Sequence, residues 1–400
     1  MLEHDDHRQI AQRLDLLHFQ DEAPGMAFWH RRGFTVFHEL ESAVRRRLRQ
    51  DGYDEVRTPQ MMRKAIWETS GHWSNFSAGM FMFAEDEGGE PSAAVKPVSC
   101  PGHIQIYGRS APSYRELPMR LAEFGVVHRN EPGGSLHGLF RLREFTQDDG
   151  HIFCTEGQIV DEVARFCASV TGFYRAFGFR KVEVVLSTRP EQRFGDNRVW
   201  DLAEASLSAA AQYAGLDYTL APGDGAFYGP KLEFVLSDRV GRKWQCGTIQ
   251  LDFVLPERFG LEYVDAQNQR KRPVMLHRAM LGSLERFLGV LLEHHQGKLP
   301  AWLAPEQALV IPVGDAHRAY ADELMRELSS VGVRVRVDAR AESLARRIAE
   351  AHEVSLPWIL VVGDREVSSQ TVSVREEGEQ LPMSRPDLVA LLRRECTPPV

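Results

Sequence analysis

The chain has 400 residues, a formal net charge of −8, 43% hydrophobic and 26% charged residues. That length holds two or three domains around a sizeable core, and that balance describes an ordinary globular protein without a global positive field to draw in nucleic acid. No apolar run reaches membrane-spanning length, the polar N-terminus is unlike a signal peptide, and five irregularly spaced cysteines argue against a disulfide framework and for a reducing, cytoplasmic setting.

In chain order, residues 7–22 read as a short helix, with Ile10, Leu14 and Leu17 at helical spacing. Residues 34–50 form an amphipathic helix with Val36, Phe37, Leu40, Val44 and Leu48 on its apolar face. Residues 53–59 are a short strand ending on proline. His72 lies between Gly71 and Trp73, and a histidine so placed is more often structural than catalytic. Cys100, between Ser99 and Pro101, reads by itself as a small buried hydrophobe. Residues 121–129 and 139–145 read as strands around the turn-rich Glu131-Pro132-Gly133-Gly134-Ser135. Two-residue spacing puts Arg141 and Arg143 on one strand face, with Phe145 two positions further on. Fixed guanidinium groups suit phosphate oxygens and Phe145 could stack on a base; the same residues also fit a solvated hairpin with surface charges.

Residues 155–179 read as a long helix opened by a Thr155–Gln158 capping box. A β-branched strand (181–186) and an alanine-rich helix (201–214, stopped by Gly215) follow. Leu232, Phe234 and Leu236 alternate, as do Trp244, Cys246 and Thr248, which predicts an antiparallel hairpin turning at 237–241. After His277, a helix buries Met280, Leu281, Leu284, Leu288 and Leu291 and carries Arg286. Residues 298–305 read as a linker. Beyond it, strands at 308–312, 333–338, 358–362 and 371–375 alternate with helices at 315–330 (capped by Asp315) and 342–353. A last helix is capped by Ser384. This pattern predicts a mixed or mostly parallel sheet.

The stretch HRNEPGGSLHGLFRLREFTQDDGHIFC (128–154) resembles motif 2 of the class II aminoacyl-tRNA synthetases, specifically of the threonyl-tRNA synthetases. The similarity runs from about residue 6 to about residue 396. It implies an α/β (α+β) fold: a class II catalytic domain over 1–300, an antiparallel sheet flanked by helices, and a small mixed α/β anticodon-binding-like domain over 301–400. It implies a ligase that activates L-threonine with ATP and Mg2+ and charges threonine tRNA, as a cytoplasmic homodimer. The helix–strand–proline segment near residues 34–59 resembles the dimer motif, although its periodicity also fits a plain packing unit. The resemblance begins within the first ten residues, so no N-terminal editing region is expected. The alternative is a threonine-activating paralogue that loads a carrier protein or small molecule.

Residue by residue, the resemblance makes Arg129, Glu131, Arg141, Phe145, Gln245 and Arg286 the ATP-binding set. Gln147, Asp149, Tyr228, Cys246 and Gln250 become the threonine-binding set, Arg129, Arg286, Lys231 and His72 the catalytic ones. It makes Cys100, His151 and His277 zinc ligands; their separations alone carry no metal signature. The chain departs from the family at Val98 and Ser99, where methionine and asparagine are usual. It also departs in the last hundred residues, which hold no lysine, twelve arginines and sixteen acidic residues. That balance disfavours a phosphate-binding face, above all around Ala341, Val354 and the acidic turn 376–379, so anticodon contacts are expected to be weak.

Overall fold

In this computed structural model the described residues are 6–84, 89–238, 241–376 and 379–399. They form two compact units. One comprises residues up to His18, Phe28–Ala43 and Leu291 onward; the other comprises Phe19–Ala27 and Val44–Val290.

The second unit is built on an eight-stranded sheet. In chain order its strands are β1 (Asp54–Glu55), β2 (Met119–His128), β3 (Glu144–Cys154), β4 (Val182–Ser187), β5 (Thr219–Ala221), β6 (Lys231–Ser237), β7 (Lys243–Asp252) and β8 (Val274–Ser283). The spatial order is β5-β4-β6-β7-β8-β3-β2-β1. Only the edge strands β1 and β5 pair in parallel; the central ladders are antiparallel. Alternation explains the layering. Leu232, Phe234 and Leu236 are fully buried on one face, where Phe166 meets Phe234 edge to face. Phe166 belongs to the helix Ile159–Ala176, which follows the Thr155–Gln158 capping box read from the sequence. The opposite face is covered at one end by the helix Cys100–Tyr107, whose Ile104 and Tyr107 pack with Leu121, Phe153 and Met275. Its other end is left open, and the site lies there.

The predicted strand 139–145 does not form. The ladder begins at Glu144, and Gly133–Ser135 is a 3-10 turn. Arg141 and Arg143 therefore do not share a strand face: the Arg143 guanidinium donates to the Glu131 carbonyl, whereas Arg141 meets the Glu131 carboxylate. The predicted hairpin forms as β6–β7, with a bulge where Phe234 faces Gly247 and Val235 faces Gln245; residues 239–240 of its turn lie outside the described residues.

A second irregularity matters more. Between Ala279 and Ser283 the β8–β3 register shifts, and Met280, Leu281 and Gly282 leave the ladder. Their N–H groups all donate to the buried Asp148 carboxyl, at 2.6, 3.0 and 3.0 Å. This corner turns the chain into the helix Leu284–His295 and aims Arg286.

In the other unit the first helix is only His7–Arg13, shorter than 7–22. Asp15 takes φ 55 and the chain turns into Leu17–His18, which pairs with Phe28–Trp29. The predicted helix at 34–50 begins earlier, at Arg31. The C-terminal segment holds a five-stranded sheet of β9 (Ala308–Pro312), β10 (Val335–Val337), β11 (Trp358–Val362), β12 (Thr371–Glu376) and β13 (Glu379–Ser384). β10-β9-β11 are parallel and β11-β12-β13 antiparallel, so the sheet is mixed. Asp315 opens a 3-10 turn rather than capping the helix, which begins at Arg318. Ser384 caps the last helix by accepting from Asp387 N–H. The short helix Asp364–Ser369 and strand β13 have no counterpart in the sequence reading. The turn at 377–378 lies outside the described residues.

Gly282 has φ +80, and a Cβ there would sit 2.7 Å from the Cys246 carbonyl oxygen. Left-handed backbone costs a non-glycine residue about 1–2 kcal/mol, and a clash with backbone costs about 1–3 kcal/mol more. Gly282→Ala should lower stability by about 2–4 kcal/mol in urea unfolding.

Candidate active site

Residues directly opposed across an antiparallel ladder share a face, and the register assembles the site row by row. One row runs Lys231–Gln250–His277–His151–Leu121 across five strands. The next runs Glu233–Thr248–Ala279–Asp149–Glu123, and a third joins Ser283, Gln147 and Gly125. Residues more than a hundred positions apart thus stand side by side on the open face.

Cys100, His151 and His277 come together: one ligand atom from each lies within 4.8 Å of the others, and all three are buried. His151 Nε2 is 3.1 Å from His277 Nδ1, and His277 Nε2 is 2.8 Å from Asp252 Oδ2. Asp149 lies 3.8 Å from His151 Nε2. The Tyr228 ring packs on His277 at 4.9 Å between centroids, and its hydroxyl donates to Gln250 at 2.7 Å. Burial pushes the Cys100 thiol well above its ordinary range. Two imidazole nitrogens and one thiol sulfur converging on one point form the mixed nitrogen-and-sulfur donor set that suits zinc.

Beside this cluster a cleft of about 430 Å³ opens, within the size range of small-ligand sites. It is lined by Arg129, Glu131, Arg141, Phe145 and Gln147, together with Gln245, Cys246, Gln250 and Arg286. The β7 bulge lets the adjacent Gln245 and Cys246 both face the cleft. Arg129 is half-buried, with its guanidinium 5.2 Å from the Phe145 ring centroid and 5.8 Å from that of Phe76. Arg286 Nε donates to the Phe140 carbonyl. Lys231, Asp149, Tyr228 and His72 are not part of the cleft wall. Lys231 is 2.5 Å from the Glu233 carboxylate. His72 is buried, with Nδ1 2.9 Å from Ser70 Oγ and its ring edge-on to Phe227 and Trp67. Burial lowers its pKa to about 4, so it is neutral at pH 7.

The sequence reading missed the groups that hold this face in place. Glu123 is buried. Burial pushes its carboxyl up, but His103, Lys96 and Thr58 more than offset this and hold it at about 2. Asp252 accepts from Val254 and Leu255 N–H. Glu285 accepts from Thr146 N–H and from Ser283 Oγ. Their signals were present: Asp252 is two residues past Gln250, His103 one turn past Cys100, and Glu285 next to Arg286.

Burial raises Glu285 to about 7, so the folded state binds its proton more tightly than the unfolded chain does. The stability this contributes is complete below pH 4.5 and is lost as pH rises through 7. Urea midpoints measured from pH 5 to 8 should fall more steeply for the wild type than for Glu285→Gln. Parallel curves would show that Glu285 does not titrate in this window.

Residues 81–295 match the class II tRNA synthetase core domain (G, H, P, S and T), and 307–395 match an anticodon binding domain. The chain belongs to the family of class II tRNA synthetases defined by that core. Within the family it is similar to threonyl enzymes. It is 53% identical to a threonine–tRNA ligase of Methylobacillus flagellatus over 94% of this chain and 59% of that protein, and 51% identical to that of Thiobacillus denitrificans over 98% and 61%. The chain thus spans about three fifths of the length of these curated relatives. Among solved structures it resembles the RNA binding domain of threonyl-tRNA synthetase from Cryptosporidium parvum, with a TM-score of 0.93, 39% identity and 98% coverage of both chains. Among the described residues no helix is long and apolar enough to cross a membrane.

Proposed function

We propose that this chain activates L-threonine with ATP to threonyl-adenylate and passes the threonyl group to threonine tRNA. The supporting observation is the juxtaposition on one sheet face of an arginine-lined cleft and the Cys100–His151–His277 cluster. In this reading Arg129 neutralises the α-phosphate and the amino-acid carboxylate. Arg141 and Arg286 hold the rest of the triphosphate with its Mg2+, and Glu131 and Phe145 hold adenine. Charge neutralised in a partly dry cleft accelerates such a transfer, and no covalent nucleophile is required. Gln147, Asp149, Tyr228, Cys246 and Gln250 shape the threonine subsite, while Gln245 faces the nucleotide and Lys231 acts from the Glu233 side. Cys100, His151 and His277 would hold zinc with a position left open, and the bound ion would supply a Lewis-acid contact for the amino and hydroxyl groups of threonine. A neutral His72 can accept a proton from the tRNA ribose hydroxyl at cellular pH.

The same reading places a catalytic domain over 1–300 and an anticodon-binding-like domain over 301–400, in a cytoplasmic homodimer. Removing one preorganised donor to transition-state charge costs about 10²–10³ in rate. Arg129→Ala and Arg286→Ala should each lower threonine-dependent ATP–pyrophosphate exchange by at least that factor, with an unchanged circular dichroism spectrum. Exchange near the wild-type rate in either variant would overturn the ATP orientation.

One observation favours the second reading, an acceptor other than tRNA. In the C-terminal segment Arg340 is 2.7 Å from both Asp338 and Glu350, and Arg346 pairs with Glu342 and Glu350 at 3.1 and 3.0 Å. Cations already facing carboxylates attract phosphate weakly. Charging of a threonine tRNA transcript should therefore change less than about tenfold when its anticodon is replaced. A loss of several orders of magnitude, set against the roughly 1–3 kcal/mol of a single base contact, would return anticodon reading to this segment.

A further inference from the structure

We infer that His103 and Glu123 are positioning residues that select which ring nitrogen of His151 faces Cys100 and His277. The inference rests on the proposed zinc site and deepens it.

Glu123 is the fixed end of the chain of contacts. It accepts from Lys96 Nζ at 2.7 Å, from Thr58 N–H at 3.1 Å and from the Thr58 hydroxyl at 2.8 Å. An ionised carboxylate can only accept. His103 Nε2, 3.2 Å from Glu123 Oε2, must therefore carry a proton. With its proton on Nε2, the neutral imidazole form of His103 has its lone pair on Nδ1. That lone pair lies 2.7 Å from His151 Nδ1. Two ring nitrogens at this distance need one proton between them, so His151 carries its proton on Nδ1. Its Nε2 lone pair then points at the cluster.

The other histidine is set in the same way from the opposite side. Asp252 Oδ1 is held by two backbone N–H groups, and Oδ2 lies 2.8 Å from His277 Nε2. His277 is thus protonated on Nε2 and presents Nδ1. The two unprotonated nitrogens, His151 Nε2 and His277 Nδ1, face each other across 3.1 Å. Lone pairs at that distance repel unless a cation lies against both. A ligating histidine normally gives its second N–H to a carboxylate or carbonyl. His151 gives it to a second imidazole, which passes the constraint on to Glu123. The helix Cys100–Tyr107 carries both a ligand and, one turn on, the relay histidine.

The test uses the full chain. Zinc affinity is measured by competition with a chromophoric chelator for wild type, Cys100→Ser, His103→Ala and His103→Asn, and folding is followed by urea unfolding. His103→Ala should weaken zinc about 10- to 100-fold, the usual effect of losing such a partner. His103→Asn, whose amide oxygen can accept near the former Nδ1, should recover most of that loss. In ¹⁵N spectra of zinc-loaded wild type, His151 should show a protonated Nδ1 and a metal-bound Nε2. A wild type that binds no zinc, or Cys100→Ser with unchanged affinity, would remove the zinc site itself. Stoichiometric zinc lost in Cys100→Ser but held within twofold by His103→Ala would overturn the relay alone, as would His151 bound through Nδ1. The wild-type spectrum decides the matter if His103→Ala does not fold.

Discussion

The site depends on the antiparallel register of β7, β8, β3 and β2. A slip of one residue would turn every side chain of a strand to the other face. His277 would then leave His151, and Gln250 would leave both. The register is fixed by burial on the opposite face, where Leu232, Phe234, Ile249, Leu251 and Ile152 are all within 1% of complete burial. Exposing such side chains costs about 1.5–3 kcal/mol each, so the alternative register is strongly excluded. The hydrophobic face thereby dictates where the polar face puts its chemistry.

Buried charge is the cost of this design, as Arg278 and Asp148 show. Arg278 is 1% exposed behind the sheet, over the Tyr53 ring at 4.3 Å and 3.6 Å from Asp148. Room for it exists because residue 150 is glycine: a Cβ there would lie 2.6–2.7 Å from the guanidinium. Burial raises Asp148 to about 6, against the pull of Arg278 and three N–H donors. Removing one member of such a set leaves the others buried without partners, which costs more than the intact set contributes. The corner that aims Arg286 therefore has few substitutes for Asp148, Arg278 or Gly150.

The C-terminal segment treats charge differently. Its arginines at 318, 340, 346 and 385 meet carboxylates at or near the surface. Exposed pairs of this kind add roughly 0–1 kcal/mol each to stability. Their larger consequence is electrostatic, since a guanidinium facing an acid presents little net field to a polyanion. These C-terminal arginines thus face acids along a surface, whereas Arg129 and Arg286 line a cleft.

The sequence by itself determined the long elements and the chemistry of the main motif. The hairpin β6–β7, strands β9 and β11, the Thr155–Gln158 box and the cap at Ser384 follow from periodicity and local hydrogen bonding, which act within a few residues. The family resemblance named Arg129 and Arg141 within residues 128–154 and Arg286 in the helix after His277, and the structure brings all three to one cleft. Only the tertiary structure decided the rest. The strand expected at 139–145 gave way because residues 137–143 find their partners in a loop, with Arg143 N–H on the Gly25 carbonyl. The bulge at 280–282 exists because Asp148, far away in sequence, accepts its three N–H groups. The relay through His103 and Glu123 joins residues on a helix and a neighbouring strand, whose proximity no local pattern encodes. Local propensity reaches one turn or one hairpin; the protonation and aim of a buried side chain are set by whatever the fold packs against it.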